Sequence, residues 1–261
     1  NILKFPRRST LSADLNIAED PYFKIRFHSS VSQKFKYGTD ISVTSLFMNQ
    51  YDDYVINNSY SVQDNKLDLF AEFMPNLERQ LRIGVVANYV HLRDNLIHQV
   101  DADNYDFISY GYLNYYINNE DSPTYASKGW KLNINGKYII PVVDLEDGSR
   151  MQHSIVLRAD IDGSIAVGKR HSLKLGATIG TSLLQEEPPL SYQFFVGGQS
   201  HMKYFDNIIS FDGLKFTQLY GDHIAVAKLS WQYNFYRNCY AIANFNGGYV
   251  ASDYDSWFGD D

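Results

Sequence analysis

The stretch SIVLRADIDGSIAV, residues 154–167, places three charged side chains, Arg158, Asp160 and Asp162, inside a run that is otherwise strongly apolar. Read at every second residue, it separates into two sets, with Ile155, Leu157, Ala159, Ile161, Ile165 and Val167 on one side and Ser154, Arg158, Asp160, Asp162 and Ser164 on the other. A period of two residues predicts a β-strand. A strand of a soluble sandwich is typically ~5–6 residues long, and this alternation is much longer. About ten alternating residues is the length that a tilted strand needs to cross a bilayer.

The same alternation recurs along the chain, in residues 10–17, 23–31, 66–73, 81–89, 130–138, 172–180 and 225–235. No segment has a convincing helical period, so we predict that the chain is all-β. A charge on the lipid face of a membrane strand costs ~2–4 kcal/mol near mid-membrane. We therefore predict a transmembrane antiparallel β-barrel in which Arg158, Asp160 and Asp162 face the lumen and the alternating apolar side chains face lipid.

Composition excludes several functional classes. The 261 residues carry a formal charge of −7 and no Lys/Arg cluster suited to a nucleic-acid backbone, so we expect no nucleic-acid partner. Cys239 is the only cysteine and the seven histidines lack metal-ligand spacing, so we expect no internal disulfide, no metal site and no cofactor. The absence of any run of 18 apolar residues excludes a transmembrane helix, whereas a barrel needs no such run.

The predicted connections fall into two kinds. The sequences AEDP (18–21), PNLE (75–78), GKRH (168–171) and YRN (236–238) predict tight turns, whereas residues 49–64, 93–104, 118–128 and 183–212 predict long polar loops. Short turns at one end and long loops at the other are typical of outer-membrane barrels. The 21 tyrosines and 16 phenylalanines, many at strand ends, fit rings at the level of the lipid headgroups. A soluble β-sandwich or closed barrel also alternates and also uses aromatic residues in its core.

The segment FFVGGQSHMKYFDNIISFDGLKF, residues 194–216, breaks the alternation. Here the chain resembles the bacterial surface antigen superfamily, the barrels of outer-membrane assembly and two-partner secretion. In that family a strand ending in hydrophobic-Gly-Gly leads into a loop that folds back into the lumen and carries Arg-Gly-Tyr or Arg-Gly-Phe at its tip. The resemblance places Val196, Gly197 and Gly198 at the strand end and Lys203, Tyr204 and Phe205 at the tip.

Two departures from the family pattern concern a charge pair. Lys203 stands where the family has Arg, and Tyr204 where it has Gly, so the bidentate clamp on a lumen carboxylate is lost. On the strand YAIANFNGGYV, residues 240–250, Asn246 aligns with the Asp that the family often places on the lumen wall. Both partners of the usual pair are thus weakened together.

Within that superfamily, the Gly-Gly strand followed by FDNIISFDG most resembles the C-terminal barrel of bacterial patatin-like phospholipases, especially Bacteroidetes-type proteins. Those enzymes use the Ser of Gly-x-Ser-x-Gly and an Asp in Asp-Gly-Gly or Asp-Gly-Ala. The chain contains no Gly-x-Ser-x-Gly, and its Asp-Gly pairs fit turns or strand positions, so we expect no catalytic residue in it. A hydrolase module would lie upstream. Asp160 and Asp162, beside Arg158, fit a lattice of lumen salt bridges better than a paired-carboxylate site.

We therefore expect a single outer-membrane barrel domain over residues 1–261, incomplete at both ends. The superfamily barrel has sixteen strands, of which we place ten to twelve here, with about one missing before Asn1 and a final hairpin after Asp261. The first function expected is to anchor or display an attached module, and the second is assembly or translocation of outer-membrane proteins. A soluble β-sandwich binding module is a further alternative. Expected partners at the bacterial outer membrane are lipid, an attached periplasmic or surface domain and, where another chain supplies the missing strands, a second subunit.

Overall fold

The computed structural model describes residues 2–5, 8–17, 21–52, 55–94, 103–122, 125–140, 153–183, 192–198, 205–237 and 239–252. In chain order the strands are β1 (Ile2–Phe5), β2 (Ser9–Asn16), β3 (Tyr22–Ser30), β4 (Phe35–Asp52), β5 (Val55–Asn76), β6 (Arg79–Asp94), β7 (Asp103–Asn118), β8 (Gly129–Ile140), β9 (Ser154–Ala166), β10 (His171–Leu183), β11 (Phe194–Val196), β12 (Ile208–Ile209), β13 (Leu219–Gly221), β14 (His223–Tyr236) and β15 (Cys239–Ala251). The described part of the chain holds no helix that is both long and apolar enough to cross a membrane.

Twelve strands form one antiparallel sheet. Consecutive strands are neighbours from β1 to β10, β10 then pairs with β14, and β14 with β15. The other three strands form a separate sheet in the order β12-β11-β13. The up-and-down order confirms the predicted all-β antiparallel class and the ten to twelve strands. Over the described residues the large sheet is open, with β1 and β15 at its two edges.

The two faces of the large sheet differ as the alternation predicts. On β9, Leu157 and Ile161 are 42% and 50% exposed, whereas Ser154 and Ser164 are 0% and 6% exposed. Other strands repeat the exposed apolar face, with Phe23, Phe27, Ile41, Val43, Leu67, Leu69, Ile83, Val85, Leu113, Ile134, Leu175, Ile179, Leu229 and Trp231. This continuous apolar band, the outer face, is the surface that lipid solvates in a membrane barrel. The opposite side is the inner face.

The large sheet curves around its inner face. Apolar residues of β4 to β9 and β14 join one buried cluster with the three-stranded sheet. The wall contributes Leu46, Val62, Val86, Ile108, Ile139, Val156 and Ile224, and the small sheet contributes Phe194, Phe195, Val196, Ile208 and Ile209. Seven strand spacings of ~4.8 Å separate β4 from β14, so a flat sheet could not bring both to one cluster. The large sheet is therefore a barrel wall, and the small sheet lies in its lumen.

Strand direction alternates, so the connections lie at two ends of the wall. The turns 77–78, 167–170 and 237–238 lie at one end, here the short-turn end. β6 ends at Asp94 and β8 ends at Ile140 at the other end, the long-loop end, where β7 and β9 begin; residues 95–102 and 141–152 themselves lie outside the described residues. This separation agrees with the sequence prediction.

Two connections do not follow their predicted length class. AEDP, predicted as a tight turn at 18–21 (18–20 lie outside the described residues), joins β2 to β3 at the long-loop end. Residues 118–128, predicted as a long loop, include the last residue of β7, Asn118, and join β7 to β8 at the short-turn end (123–124 lie outside the described residues). The end is fixed by the parity of the strands and not by the length of the connection.

The predicted long polar loop at 49–64 is wrong. β4 continues to Asp52, and β5 begins at Val55. Met48 pairs with Tyr60 across this extended hairpin, and Met48 is buried in the lumen core. The Asn-, Asp- and Tyr-rich composition suggested a loop, but backbone pairing and lumen contacts stabilise strand here. The predicted loop at 183–212 likewise contains β11 and β12.

Candidate functional site in the lumen

The connection between β10 and β14 is the most elaborate part of the lumen. We name residues 184–222 the lumen loop; it is described at 192–198 and 205–222. Phe195 of β11 pairs in parallel with Ile208 of β12 and antiparallel with Tyr220 of β13. The loop thus carries its own small sheet, which satisfies backbone groups that would otherwise be buried without partners.

Apolar burial fixes this small sheet against the wall. Phe194, Phe195 and Val196 are each 2% exposed or less, and they belong to the same cluster as wall residues of β4 to β9 and β14. Each fully buried side chain of this size contributes roughly 1.5–3 kcal/mol relative to exposure. The half of the lumen nearer the long-loop end is therefore filled by a packed apolar core.

Two glycines make the turn that follows β11. Gly197 has φ +142° and Gly198 has φ +60°, conformations that favour glycine. A Cβ at Gly197 would lie 2.1 Å from the carbonyl oxygen of Lys215, and one at Gly198 would lie 2.9 Å from the Cα of Phe216. The N–H of Gly198 donates to the Leu214 carbonyl at 3.1 Å. The Gly-Gly pair thus lets the backbone after β11 approach residues 214–216 of the lumen loop closely.

The lumen loop also contacts wall strands that lie far apart in the sheet. Thr217 Oγ1 donates to the carbonyl oxygen of Asn49 on β4 at 3.1 Å. At the other side, the N–H of Asp222 donates to the carbonyl oxygen of Ala251 on β15 at 3.0 Å. The loop therefore spans the lumen between β4 and β15.

The lower part of the loop, on the side of the short-turn end, is held by charge. Asp206 Oδ2 lies 2.7 Å from Lys137 Nζ on β8, and the Asp206 carbonyl accepts a hydrogen bond from Arg158 Nη1. Its place in the lumen alone would raise the pKa of the Asp206 carboxyl, but Lys137 and Lys66 outweigh this effect and hold the pKa below its ordinary range. Lys228 Nζ donates to Ser210 Oγ at 3.0 Å.

Of the three residues predicted at the loop tip, the structure describes only Phe205. Lys203 and Tyr204 lie outside the described residues. Phe205 is buried in the lumen core, and Lys66 Nζ lies 5.5 Å from the centre of its ring. This distance is within the range of a cation–π contact.

The four polar residues predicted on the lumen wall all lie on the inner face. Arg158 forms a salt bridge with Asp160, with Nη2 2.8 Å from Oδ1. Asp160 Oδ1 also accepts a hydrogen bond from Thr178 Oγ1 at 2.8 Å. Asp162 pairs with Lys131 at 3.0 Å. The inner face of β9 thus carries two separate ion pairs, Arg158–Asp160 and Lys131–Asp162.

Asn246 reaches the lumen loop itself. With its amide oxygen oriented toward the loop, Asn246 accepts a hydrogen bond from the N–H of Asp212 at 2.9 Å. Its amide nitrogen donates to the Phe245 carbonyl at 3.3 Å. The position that aligned with the family's wall Asp therefore touches the loop through a neutral amide and a backbone group.

Sequence reasoning missed a second charged cluster on β3 to β7. Asp40 is 3% exposed and forms salt bridges with Lys24, Arg26 and Arg82, with N–O distances of 3.0, 3.0 and 3.2 Å. Arg82 also lies 2.6 Å from Asp68 Oδ2, and its guanidinium stacks 3.6 Å from the centre of the Phe70 ring. The signal was present, because the charged residues of this cluster all lie at inner-face positions of their strands. The alternation does not show, however, which of them contact one another; Arg82 and Asp40, for example, are 42 residues apart.

Two polar cavities flank the lower part of the lumen loop. One of about 420 Å³ lies among Lys24, Asp40, Arg82, Tyr112, Lys137 and Asp206. The other, of about 630 Å³, lies among Lys131, Arg158, Asp162, Ile208, Ser210 and Lys228. The lumen therefore has two halves, an apolar core toward the long-loop end and a charged, partly open region toward the short-turn end. Among the described residues, no three His, Cys, Asp or Glu side chains are grouped so as to hold a metal ion.

Comparison with known proteins identifies the family. The family model described as the OMP85 superfamily matches residues 17–256, which includes nearly the whole wall and the entire lumen loop. No curated protein matches the chain. The structure fits that family, because it has an antiparallel wall with an apolar outer face and a charged inner face, and a loop folded into the lumen. The chain thus belongs to the OMP85 superfamily and is an outer-membrane β-barrel domain.

Proposed function

We propose that this barrel anchors an attached module of the same protein at the outer membrane, while its own lumen loop closes the lumen. The observation that supports this proposal is the burial of Phe194, Phe195 and Val196 among apolar side chains of seven wall strands. Because so much apolar contact stabilises the closed arrangement, the barrel is better suited to hold a module than to pass a chain.

We propose further that the attached module is a lipid hydrolase of the patatin type. The resemblance of residues 194–216 to barrels of that group supports it. On this proposal the nucleophilic Ser would belong to the module, since this chain contains no Gly-x-Ser-x-Gly. The test is phospholipid ester hydrolysis by the full parent protein in membranes. We expect the activity to be lost when the module's nucleophilic Ser is replaced by Ala. When the module is cleaved from the barrel, the activity should move from the membrane fraction to the soluble fraction. A parent protein without ester hydrolysis would refute the hydrolase but not the anchor.

Translocation is the second candidate, and the lower part of the lumen favours it. There the loop is held by polar contacts, such as Lys137–Asp206 and Lys228–Ser210, beside cavities of about 420 and 630 Å³. Polar contacts next to water can exchange for contacts with a client chain at little cost. On this alternative the loop would move whenever a client enters.

A tether on the loop separates the two candidates. In a Cys239→Ser background, the double variant Lys137→Cys and Asp206→Cys is joined by a short bifunctional thiol reagent after the barrel has assembled in membranes. The matched control joins Lys131→Cys to Asp162→Cys, a pair of which both members lie on wall strands. An anchor keeps its module membrane-bound and equally accessible with either tether. If the loop tether alone stops delivery of a client chain, the anchor proposal is wrong and translocation is supported.

A further inference from the structure

We propose that two neighbouring turns at the short-turn end bind the phosphate headgroup of an anionic phospholipid. The site, here the headgroup site, consists of Lys169 and Arg170 in turn β9–β10, Arg237 in turn β14–β15, and the rings of His171, Trp231 and Tyr233 on the outer face beside them. It involves neither the lumen loop nor any attached module, so it stands apart from the proposed anchoring function.

The pairing of β10 with β14 brings the two turns side by side. His171 at the start of β10 is directly opposite Tyr233 of β14. The N–H of Asn234 donates to the carbonyl oxygen of Arg170 at 2.8 Å, so the end of turn β9–β10 is fixed to the next hairpin. Strands that pair are ~4.8 Å apart, which is within the reach of two long cationic side chains around one phosphate.

The three cations of the headgroup site are available to a ligand. Lys169, Arg170 and Arg237 are all exposed, and in the part of the chain that the structure describes none of them forms an ion pair. Arg237 lies 5.6 Å from the centre of the Tyr236 ring, a contact that orients its guanidinium without neutralising it. By contrast, lumen cations such as Arg82 and Lys137 contact carboxylates. Three neighbouring positive charges repel one another, and an anion between them removes that repulsion.

The aromatic rings set the depth of the site in the membrane. His171 stacks on Tyr233 with ring centres 4.6 Å apart, and Trp231 lies parallel to Tyr233 at 6.2 Å. Trp231 is exposed on the outer face, as is Leu229 two residues further from the turn. Amphipathic rings of this kind lie at the interface between hydrocarbon and headgroups. The three cations lie in the turns, further from the hydrocarbon core than the rings, and therefore at the level of the lipid phosphates.

The charge of the two barrel ends supports an anionic ligand at this end. In the sequence, the connections that lead from the long-loop end (17–21, 53–54, 95–102, 141–153 and 184–204) contain the acids Glu19, Asp20, Asp53, Asp101, Asp144, Glu146, Asp147, Glu186 and Glu187 but only the cations Arg150 and Lys203. In the sequence these connections are therefore net negative. Short turns of outer-membrane barrels face the periplasm, so the lipid concerned is a phospholipid of the periplasmic leaflet.

The test is lipid binding by the full chain in neutral detergent. The protein is titrated with phosphatidylglycerol or with phosphatidylcholine, and retained lipid is counted by native mass spectrometry. We expect saturable binding of phosphatidylglycerol at least about tenfold tighter than that of phosphatidylcholine, since each cation near an anionic lipid surface contributes about fivefold. Equal binding of the two lipids would overturn the proposal.

Matched variants show whether the headgroup site itself binds the lipid. The triple variant Lys169→Gln, Arg170→Gln and Arg237→Gln should lose at least about tenfold in phosphatidylglycerol affinity. The control Lys34→Gln, Arg79→Gln and Lys128→Gln removes the same charge from exposed positions at the same end, one per hairpin, and should change the affinity by less than about threefold. An equal loss in both variants would mean general attraction to a basic rim and would overturn the site.

A competition assay distinguishes the lipid from free phosphate. Millimolar inorganic phosphate should leave the bound phosphatidylglycerol in place, because the aromatic rings also contact the lipid. Displacement of the lipid would assign the site to soluble phosphate and refute the lipid. Both variants must keep a heat-modifiable folded band, which we expect because the substituted side chains lie outside the wall contacts.

Discussion

Lys137 Nζ on β8 lies 2.7 Å from Asp206 Oδ2 in the lumen loop, although 69 residues separate the two in sequence. This ion pair joins the barrel wall to the lower edge of the element that fills the lumen. Lys131, six residues earlier on the same strand, pairs instead with Asp162 on β9, within the wall. The two lysines provide a comparison between a contact that holds the loop and one that holds only the wall.

Replacing Lys137 by Met should loosen the loop tip and leave the wall intact. Removal of one charged partner also leaves the Asp206 carboxylate unpaired, so opening of residues 205–210 should become at least about fivefold more frequent. Amide hydrogen exchange of these residues measures the effect. Lys131→Met is the control and should leave their exchange unchanged. Equal acceleration in both variants would contradict the assignment of Lys137 to the loop.

Replacing Phe195 by Ala should destabilise the lumen core. Phe195 is buried between β12, β13 and the wall, and Phe→Ala substitutions at such positions cost ~3–5 kcal/mol. Denaturant unfolding of the detergent-solubilised barrel measures the loss. Phe245→Ala, at a position 65% exposed on the outer face, should cost much less. If the two variants unfold at the same denaturant concentration, the small sheet is not part of the stable core.

Gly197→Ala should prevent the lumen loop from folding as described. Its Cβ would overlap the carbonyl oxygen of Lys215, and φ +142° adds strain of roughly 1–3 kcal/mol for a residue with a side chain. Gly247→Ala is the control, because no atom lies within 4 Å of a Cβ built there. Limited proteolysis should cut the loop of the first variant and not that of the second. A loop equally resistant in both would exclude the proposed turn.

Ile161→Arg should impair membrane assembly because the side chain would face lipid. An arginine near mid-membrane costs ~2–4 kcal/mol on the lipid face of a barrel strand. Asn244→Arg, on the inner face of β15, adds the same charge toward the lumen and should assemble normally. The measurement is the yield of heat-modifiable barrel in the outer-membrane fraction. Normal assembly of Ile161→Arg would place that face away from lipid.

The sequence predicted the wall well, because a strand that crosses a membrane must separate its faces residue by residue. Leu157 and Ile161 are exposed and Arg158, Asp160 and Asp162 line the lumen, as the period of two required. The strand prediction failed in β4 and β5, where apolar and polar side chains do not alternate cleanly. In β4 and β5 the lumen positions Leu46 and Val62 are apolar, since they face the small sheet and not water.

The apolar residues at lumen positions can be recognised in the sequence. Runs such as Val85–Val86, Ile139–Ile140 and Ile155–Leu157 are apolar on both faces, which predicts a wall segment covered by protein on its inner side. What covers it could not be predicted from periodicity. Phe195 meets Tyr220 across the lumen loop, and Lys137 meets Asp206 across the lumen. Such long-range contacts leave no local pattern in the sequence.

Ion conductance across a planar bilayer tests most directly the claim that the barrel is closed by its own loop. The full parent protein should give no steady conductance, whereas a variant in which residues 192–218 are replaced by a short Gly-Ser linker should give a steady open channel, provided that it retains the heat-modifiable folded band. Steady conductance by the intact protein, or a folded loop-deleted barrel that stays closed, would contradict the account.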